Sequence, residues 1–403
     1  MKAVIEPSGL KGEIYAPPSK SYAHRLLICA ALAGKGSTVE GISQSGDMKA
    51  TLNCIRALGA EVSQTGSCVC MESSEKKQEK VPVLNCSESG STLRFFIPIS
   101  LVFSEEALFT GTERLIARGI GVYEDMLKAS GIVFEKSPSS IRVKGELKSG
   151  NYVMRGDVSS QFASGMLFAL PLLKGDSTLT VKPPVESRSY IDITIDALKT
   201  FGIEIEENPK NSFKIKGGQT YIPESICVEG DWSNGAFLYG FNALGAELEI
   251  KGLKEDSVQG DKACVGMFKA LEEEDPLIDI SNCPDLGPVL FAAAAAKGGG
   301  SFTGIKRLRI KESDRAAAMA EELKKFGISC EIEENSMTVK KGKLGKPEEI
   351  LNGHNDHRIV MSLTLLSSLT GAEIEGAQAV RKSWPGFFED MQKLGLKAVL
   401  KEE

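Results

Sequence analysis

Hydroxyls gathered around single cations are the first sign of chemistry in this chain. Pro17-Pro18-Ser19-Lys20-Ser21-Tyr22-Ala23-His24-Arg25 sets a lysine between two serines, with Arg25 about one helical turn further on. Lysine offers a compact point charge, and arginine a planar fork that grips carboxylate or phosphate. Ser159-Ser160-Gln161 places two adjacent hydroxyls at another helix start, where side chains and free N–H groups can share one phosphate. Arg309-Ile310-Lys311-Glu312-Ser313-Asp314-Arg315 and Asn355-Asp356-His357-Arg358 mix cations with carboxylates, the materials of anion binding and proton transfer. Any one of these segments alone reads as an ordinary helix cap or a solvated ion-pair cluster. Several of them carry Lys, Arg or paired Ser together, which argues for a set of anion sites.

The elements that would position these groups repeat along the chain. Leu58-Gly59-Ala60-Glu61-Val62 returns as Ser130-Gly131-Ile132-Val133-Phe134, Phe201-Gly202-Ile203-Glu204-Ile205, Phe326-Gly327-Ile328 and Leu394-Gly395-Leu396, at a spacing of roughly 70 residues. Each reads as a helix ended by Gly and followed by a strand. A further copy is expected near Ala270-Leu271-Glu272-Glu273, where the Gly is missing. A second series of turns leads into strands at Gly34-Lys35-Gly36-Ser37, Lys174-Gly175-Asp176, Gly245-Ala246, Gly299-Gly300 and Gly371-Ala372. The first of these contains P-loop fragments, but Gly36 breaks the order that motif requires. A third series of polar, cap-rich segments opens apolar helices at Pro18–Ser21, Ser87–Thr92, Asp157–Gln161, Asp231–Asn234, Pro284-Asp285 and Asn355–Arg358. Six such units in two groups of three predict an α/β protein of two similar domains.

Composition sets further bounds. A chain of 403 residues exceeds one ordinary core. Its net charge of −6 disfavours a general nucleic-acid binder, though a small anion can still be bound where positive charge gathers locally. Nine cysteines without paired CxxC spacing, and an N-terminus without signal character, point to reduced thiols and a cytoplasmic location. No apolar run is long enough to span a bilayer. His354-Asn355-Asp356-His357 has no third ligand in view and reads as a polar loop, not a metal site. Ser73-Ser74-Glu75-Lys76-Lys77-Gln78-Glu79-Lys80 reads as an exposed charged loop.

Taken in order from residue 17 to residue 385, these segments resemble the 5-enolpyruvylshikimate-3-phosphate synthase family. Glu88-Ser89-Gly90-Ser91-Thr92-Leu93-Arg94, Arg118-Gly119-Ile120-Gly121, Ser187-Arg188-Ser189-Tyr190-Ile191-Asp192 and Lys382-Ser383-Trp384-Pro385 complete the set. The resemblance implies the enolpyruvyl transferase fold, an inside-out α/β barrel. Each of its two domains has three βαβαββ units around buried helices. It places residues 19–228 in one domain and residues 1–18 with 229–403 in the other, with the active site in the cleft. The implied reaction transfers the enolpyruvyl group of phosphoenolpyruvate to the 5-hydroxyl of shikimate 3-phosphate, with release of phosphate. No cofactor or metal is implied, and the family suggests a monomer that handles only small-molecule substrates.

Roles are carried over residue by residue. Lys20, Ser21, Arg25, Ser159, Ser160, Gln161, Ser187, Tyr190, Asp285 and Lys311 would hold shikimate 3-phosphate. Lys20, Gly90, Arg118, Gln161, Arg315, Arg358 and Lys382 would surround phosphoenolpyruvate. The resemblance sets Asp285 near the reacting hydroxyl and Glu312 near C3 of phosphoenolpyruvate, with Lys20 a further proton carrier. Some positions depart from the family pattern. Glu88 replaces a common Asn, Gly119 a common Pro, Arg188-Ser189 a common Lys-Pro, and Arg307 a common Asn. The two Pro replacements, at Gly119 and at Arg188-Ser189, imply less rigid loops. A related transferase acting on UDP-N-acetylglucosamine is disfavoured because Ser21 follows Lys20 and no Cys lies in Thr112–Arg118. An RNA-end cyclase of the same fold is weaker still, and a non-enzymatic repeat scaffold would not need paired carboxylates among cations.

Overall fold

The structure is a computed structural model that describes residues 1–73, 81–185, 187–209 and 211–402. Most of the charged run at residues 73–80 lies outside these. The chain divides into two compact units, Lys20–Glu229 and Met1–Ser19 with Gly230–Glu403. Ser19 and Glu229 thus fall in the opposite units from those the sequence reading gave them. For Ser19 the reason is local: its hydroxyl donates to Gln259 at 3.0 Å, and the preceding Pro18 forms a β-bridge with Gly230.

The Lys20–Glu229 unit holds three four-stranded sheets of one design. Val83–Asn85 pairs in parallel with Glu106–Thr110, whose other edge takes the antiparallel hairpin of Ser140–Lys144 and Val133–Ser137. Asn151–Arg155, Ser177–Lys182, Ser212–Ile215 and Ile205–Asn208 repeat the arrangement. In the remaining sheet Ser225–Cys227, late in the unit, lies parallel to Thr38–Glu40, so the unit closes on itself. Three helices, Lys20–Ala33, Gly90–Phe103 and Ser160–Ala169, are buried on nearly every side, as their apolar sequences require. At Gly165 two of them meet so closely that a Cβ would lie 2.5 Å from the Arg94 carbonyl oxygen.

The other unit follows the same plan with one departure. Leu277–Asp279, Gly300–Thr303, Ser336–Val339 and Cys330–Ile332 form a complete sheet. A second sheet uses the N-terminal strand Lys2–Glu6 between Ala372–Glu375 and Lys397–Lys401. The third is reduced to two strands, Lys11–Tyr15 beside Glu247–Lys251. The copy expected near Ala270 has its helix, Cys264–Ala270, but no hairpin among the described residues. The helix ends at Leu271 in right-handed backbone, and Glu272-Glu273-Glu274-Asp275-Pro276 is too acidic and too turn-prone to form a strand.

Elsewhere the Gly signals hold. Gly59, Gly131, Gly202, Gly327 and Gly395 all take positive φ, from 77° to 109°, the left-handed turn that releases a helix into a strand. Each of the six polar segments opens one of the six buried helices, the later three being Trp232–Ala243, Gly287–Lys297 and His357–Thr370. Their N-termini are therefore where the candidate chemistry collects.

Candidate active site

In the Lys20–Glu229 unit, the first helix supplies Lys20, whose ammonium pairs with Asp47 at 3.1 Å. Arg25, one turn later, is 2 % exposed and is held by neutral groups. Its guanidinium donates to Thr194 Oγ1 at 2.7 Å, to the Ser21 carbonyl at 2.7 Å, to the Tyr190 carbonyl at 2.9 Å and to Ser164 Oγ at 3.4 Å. It also stacks over the Phe95 ring at 5.0 Å. Burial lowers its pKa to about 10, which leaves it charged at neutral pH. Arg25 thus ties the start of its own helix to the Arg188–Thr200 helix and fixes the backbone at Tyr190.

Ser159 caps the Ser160–Ala169 helix by accepting from the Gln161 N–H, and both serines are buried. Gln161 joins this helix start to the one at Gly90. Its Oε1 accepts from Arg94 at 2.6 Å and its Nε2 donates to Ser91 Oγ at 2.8 Å. A Cβ on Gly90 would lie 3.2 Å from Nη1 of Arg118 and 3.2 Å from Nη1 of Arg94. Gly90, Arg118 and Gln161 therefore converge, together with Arg94, which no role had singled out. The signal for Arg94 was its spacing of one turn from the cap, as for Arg25.

The departures from the family pattern also have structural outcomes. Gly119 takes φ +79°, a conformation closed to the proline it replaces. Arg188 ties its loop down: it forks onto both oxygens of Glu207 at 2.8 Å and reaches Asp192 at 2.7 Å and Asn211 at 3.2 Å. Ser187, just before it, is buried in left-handed backbone with φ 55°.

The second unit builds its cluster from charges of both signs. Asp285, beside the start of the Gly287–Lys297 helix, faces three cations. They are Lys311 at 3.0 Å, Arg315 at 2.7 Å and Arg358 at 3.2 Å. Burial would raise this carboxyl, but Arg358, Lys311 and Arg315 outweigh burial and hold it well below the usual carboxylate range. Arg315, 1 % exposed, also bonds Glu312 at 2.7 Å and Asp356 at 2.8 Å. Burial opposes its charge, yet Asp356, Glu312 and Asp285 keep it protonated above its ordinary value. Lys311 behaves differently. Burial, helped by Arg307 and Arg315, lowers its ammonium to about 8 despite the attraction of Asp285.

Asp356 and Asp261 are carboxylates without an assigned role from the sequence. Asp356 is fully buried, caps the Arg358 N–H at 2.9 Å and accepts from Ser313 at 2.9 Å. Asp261 accepts from Ser233 at 2.6 Å, and burial beside Asp285 raises its carboxyl to about 6. Lys382 donates to the Asn355 carbonyl at 2.9 Å. His354 and Asn355 before it are both left-handed, a strained pair that the surroundings must over-determine. His354 Nε2 lies 3.0 Å from Glu322, whose two oxygens each accept from Lys325 at 3.0 Å. Glu321, Glu322 and His354 cluster closely enough to suggest a metal, but Lys325 already matches the central carboxylate.

Both halves of the chain thus place charge at the N-termini of buried helices. The profile of EPSP synthase (3-phosphoshikimate 1-carboxyvinyltransferase) matches residues 4–391. A 3-phosphoshikimate 1-carboxyvinyltransferase of Clostridium kluyveri is 40% identical over 412 residues, covering 97% of this chain and 96% of the relative. One from Clostridium perfringens is 38% identical over 429 residues and covers both chains completely. Among solved structures, an EPSP synthase of Acinetobacter baumannii superposes with a TM-score of 0.82 over 100% of both chains at 23% identity, a likeness of fold. On the strength of the full-length match and these relatives, the chain belongs to the EPSP synthase family.

Proposed function

We propose that this chain transfers the enolpyruvyl group of phosphoenolpyruvate to the 5-hydroxyl of shikimate 3-phosphate and releases phosphate, a step of chorismate and aromatic amino-acid synthesis. On this reading it works without a cofactor, as a cytoplasmic monomer, on small molecules alone. No helix among the described residues is long and apolar enough to cross a membrane. The observation that carries the reading is the Asp285 carboxylate among Lys311, Arg315 and Arg358, with Glu312 on the same arginine.

The chemistry needs a proton delivered to C3 of phosphoenolpyruvate, addition of the hydroxyl oxygen at C2, and then loss of a C3 proton and of phosphate. Glu312 is proposed for C3, Asp285 for the hydroxyl proton, and Lys20 as a further carrier. Three cations make Asp285 a weak base at rest. A bound anion that engaged Lys311 or Arg358 would weaken that hold and raise the carboxyl toward a working pKa. Lys20, Ser21, Arg25, Ser159, Ser160, Gln161, Ser187, Tyr190, Asp285 and Lys311 are proposed to serve shikimate 3-phosphate. Lys20, Gly90, Arg118, Gln161, Arg315, Arg358 and Lys382 are proposed to serve phosphoenolpyruvate. Within the first set, Arg25 acts chiefly by fixing the backbone of Ser21 and Tyr190.

The direct test is phosphate release on mixing the two substrates, with neither alone giving any. Absence of phosphate from a folded preparation would overturn the reading. Calorimetry on the double variant Ser159→Ala, Ser160→Ala tests the assignment of the paired hydroxyls. Binding of shikimate 3-phosphate should weaken at least about tenfold, and that of phosphoenolpyruvate far less.

A further inference from the structure

Apart from the groups assigned above, a buried line of polar side chains runs from His24 to the start of the Gly90–Phe103 helix. His24 Nδ1 lies 2.7 Å from Thr51 Oγ1, which lies 2.9 Å from Thr92 Oγ1. Thr92 Oγ1 in turn donates to Ser89 Oγ at 2.7 Å. None of the four residues is more than 1 % exposed.

Each hydroxyl has one proton, so the order of donors can be worked out. The Thr92 proton goes to Ser89, so Thr51 donates to Thr92, and His24 donates to Thr51 through Nδ1–H. Nε2 of His24 then carries a lone pair. It has no hydrogen-bond partner among the described residues, and a buried acceptor left so is tolerated better than a buried N–H. Burial, with Lys20 and Arg25 close by, lowers the imidazole pKa well below its ordinary value, so the ring is neutral. The edge-on Phe95 ring packs against it.

The same bookkeeping decides the state of Ser89. Its oxygen accepts from Thr92 Oγ1 and, at 3.3 Å, from the Thr92 N–H, which uses both lone-pair positions. Its own proton remains to be donated. Ser89 is bonded directly to Gly90, on which the guanidiniums of Arg94 and Arg118 converge. Nε of Arg118 is itself buried without a partner among the described residues. Arg94 Nη1 already donates to Gln161 at 2.6 Å, so Arg118 is the cation beside Gly90 with a donor to spare for an anion.

We propose that His24, Thr51 and Thr92 are positioning residues that fix Ser89 as a hydroxyl donor to the anion that Arg118 holds beside Gly90. This rests on the reading above, by which that anion is phosphoenolpyruvate. Ser89 becomes a substrate contact, and the three residues behind it set the direction of its proton.

The test combines nitrogen-15 NMR with steady-state kinetics. The chain has three histidines, so their ring signals can be told apart. His24 should be the neutral Nδ1–H tautomer and should not titrate between about pH 5 and 8. Thr51→Ser should preserve this state and Thr51→Val should change the tautomer mixture. Ser89→Ala should raise KM for phosphoenolpyruvate about tenfold, with kcat and KM for shikimate 3-phosphate moving less than about twofold. Thr51→Val should raise the same KM by several-fold, and the double variant should be no worse than Ser89→Ala alone. An Nε2–H tautomer, additive losses in the double variant, or equal changes in both KM values would each overturn the proposal. If the wild type released no phosphate, the functional reading would fall instead. Calorimetric titration of phosphoenolpyruvate against wild type and Ser89→Ala would then still decide whether Ser89 holds that anion.

Discussion

The two units hold their buried arginines in opposite ways. Arg25 is surrounded by hydroxyls and carbonyls, so its charge is solvated by dipoles and left uncancelled locally. Arg315 is surrounded by Asp285, Glu312 and Asp356, so its charge is cancelled by carboxylates. The first arrangement leaves a net positive field that suits binding an anion. The second holds Asp285 and Asp356 ionised and sets Glu312 on the same arginine, which suits moving protons. On the proposed roles, one fold plan, repeated, thus supplies a dipole-held cation in one unit and the carboxylates Asp285 and Glu312 for proton transfer in the other.

The sharpest way to test the contrast is through catalysis. Glu312→Gln should lower kcat by about 10²–10⁴-fold with the fold intact, the usual loss on removing an acid/base group. Near-wild-type turnover would remove Glu312 from the proposed proton-transfer role. The next effect is on stability. Arg315→Met leaves Asp356 buried with its main counter-charge gone and should cost about 3–5 kcal/mol. Arg25→Met leaves only neutral acceptors behind and should cost about 1–3 kcal/mol. Urea unfolding of both variants, giving equal losses, would break the comparison.

Gly90→Ala probes the proposed anion site of the first unit. The added methyl would sit 3.2 Å from two guanidinium tips, which can yield by a few tenths of an ångström. The variant should fold and raise KM for phosphoenolpyruvate about tenfold. The smallest expected effect concerns pH. Lys311 has its ammonium lowered to about 8, against an ordinary 10.5, so it loses charge as pH rises through 8. KM for shikimate 3-phosphate should climb by several-fold from about pH 7.5 to 9, and Lys311→Arg should flatten that rise. The sign for stability is opposite. The unfolded chain binds the extra proton between those two values, so this group favours folding more as pH rises through that window.

Much of the fold was legible because its signals are local. A Gly that must be left-handed, or a Ser or Asp that must cap a helix, shows itself within four or five residues. The missing hairpin after Ala270 was marked by the same logic, since its Gly was absent, yet a full copy was still expected there. The site was legible as a set of residue types and less so as a set of partners. Spacing put Arg25 one turn beyond Ser21, but Ser164 and Thr194, which take up its donors, lie far along the chain. Asp356 and Asp261 passed without a role because complete burial gives a carboxylate its weight here, and burial is a property of the packed chain. Arg188 was expected to loosen its loop by replacing a Lys-Pro pair; its four hydrogen bonds to Glu207, Asp192 and Asn211 tie that loop instead.

The strand Lys2–Glu6 has one more consequence, for the order in which the protein is made. It lies inside its sheet, between Ala372–Glu375 and Lys397–Lys401. During synthesis it leaves the ribosome well before residues 372–375 and 397–401, so it must wait for several hundred further residues before either neighbour exists. The Lys20–Glu229 unit has no such wait, because Thr38–Glu40 finds its parallel neighbour in Ser225–Cys227. That unit can close once residue 229 has emerged, while Lys2–Glu6 stays unpaired and needs protection until Ala372–Glu375 appears.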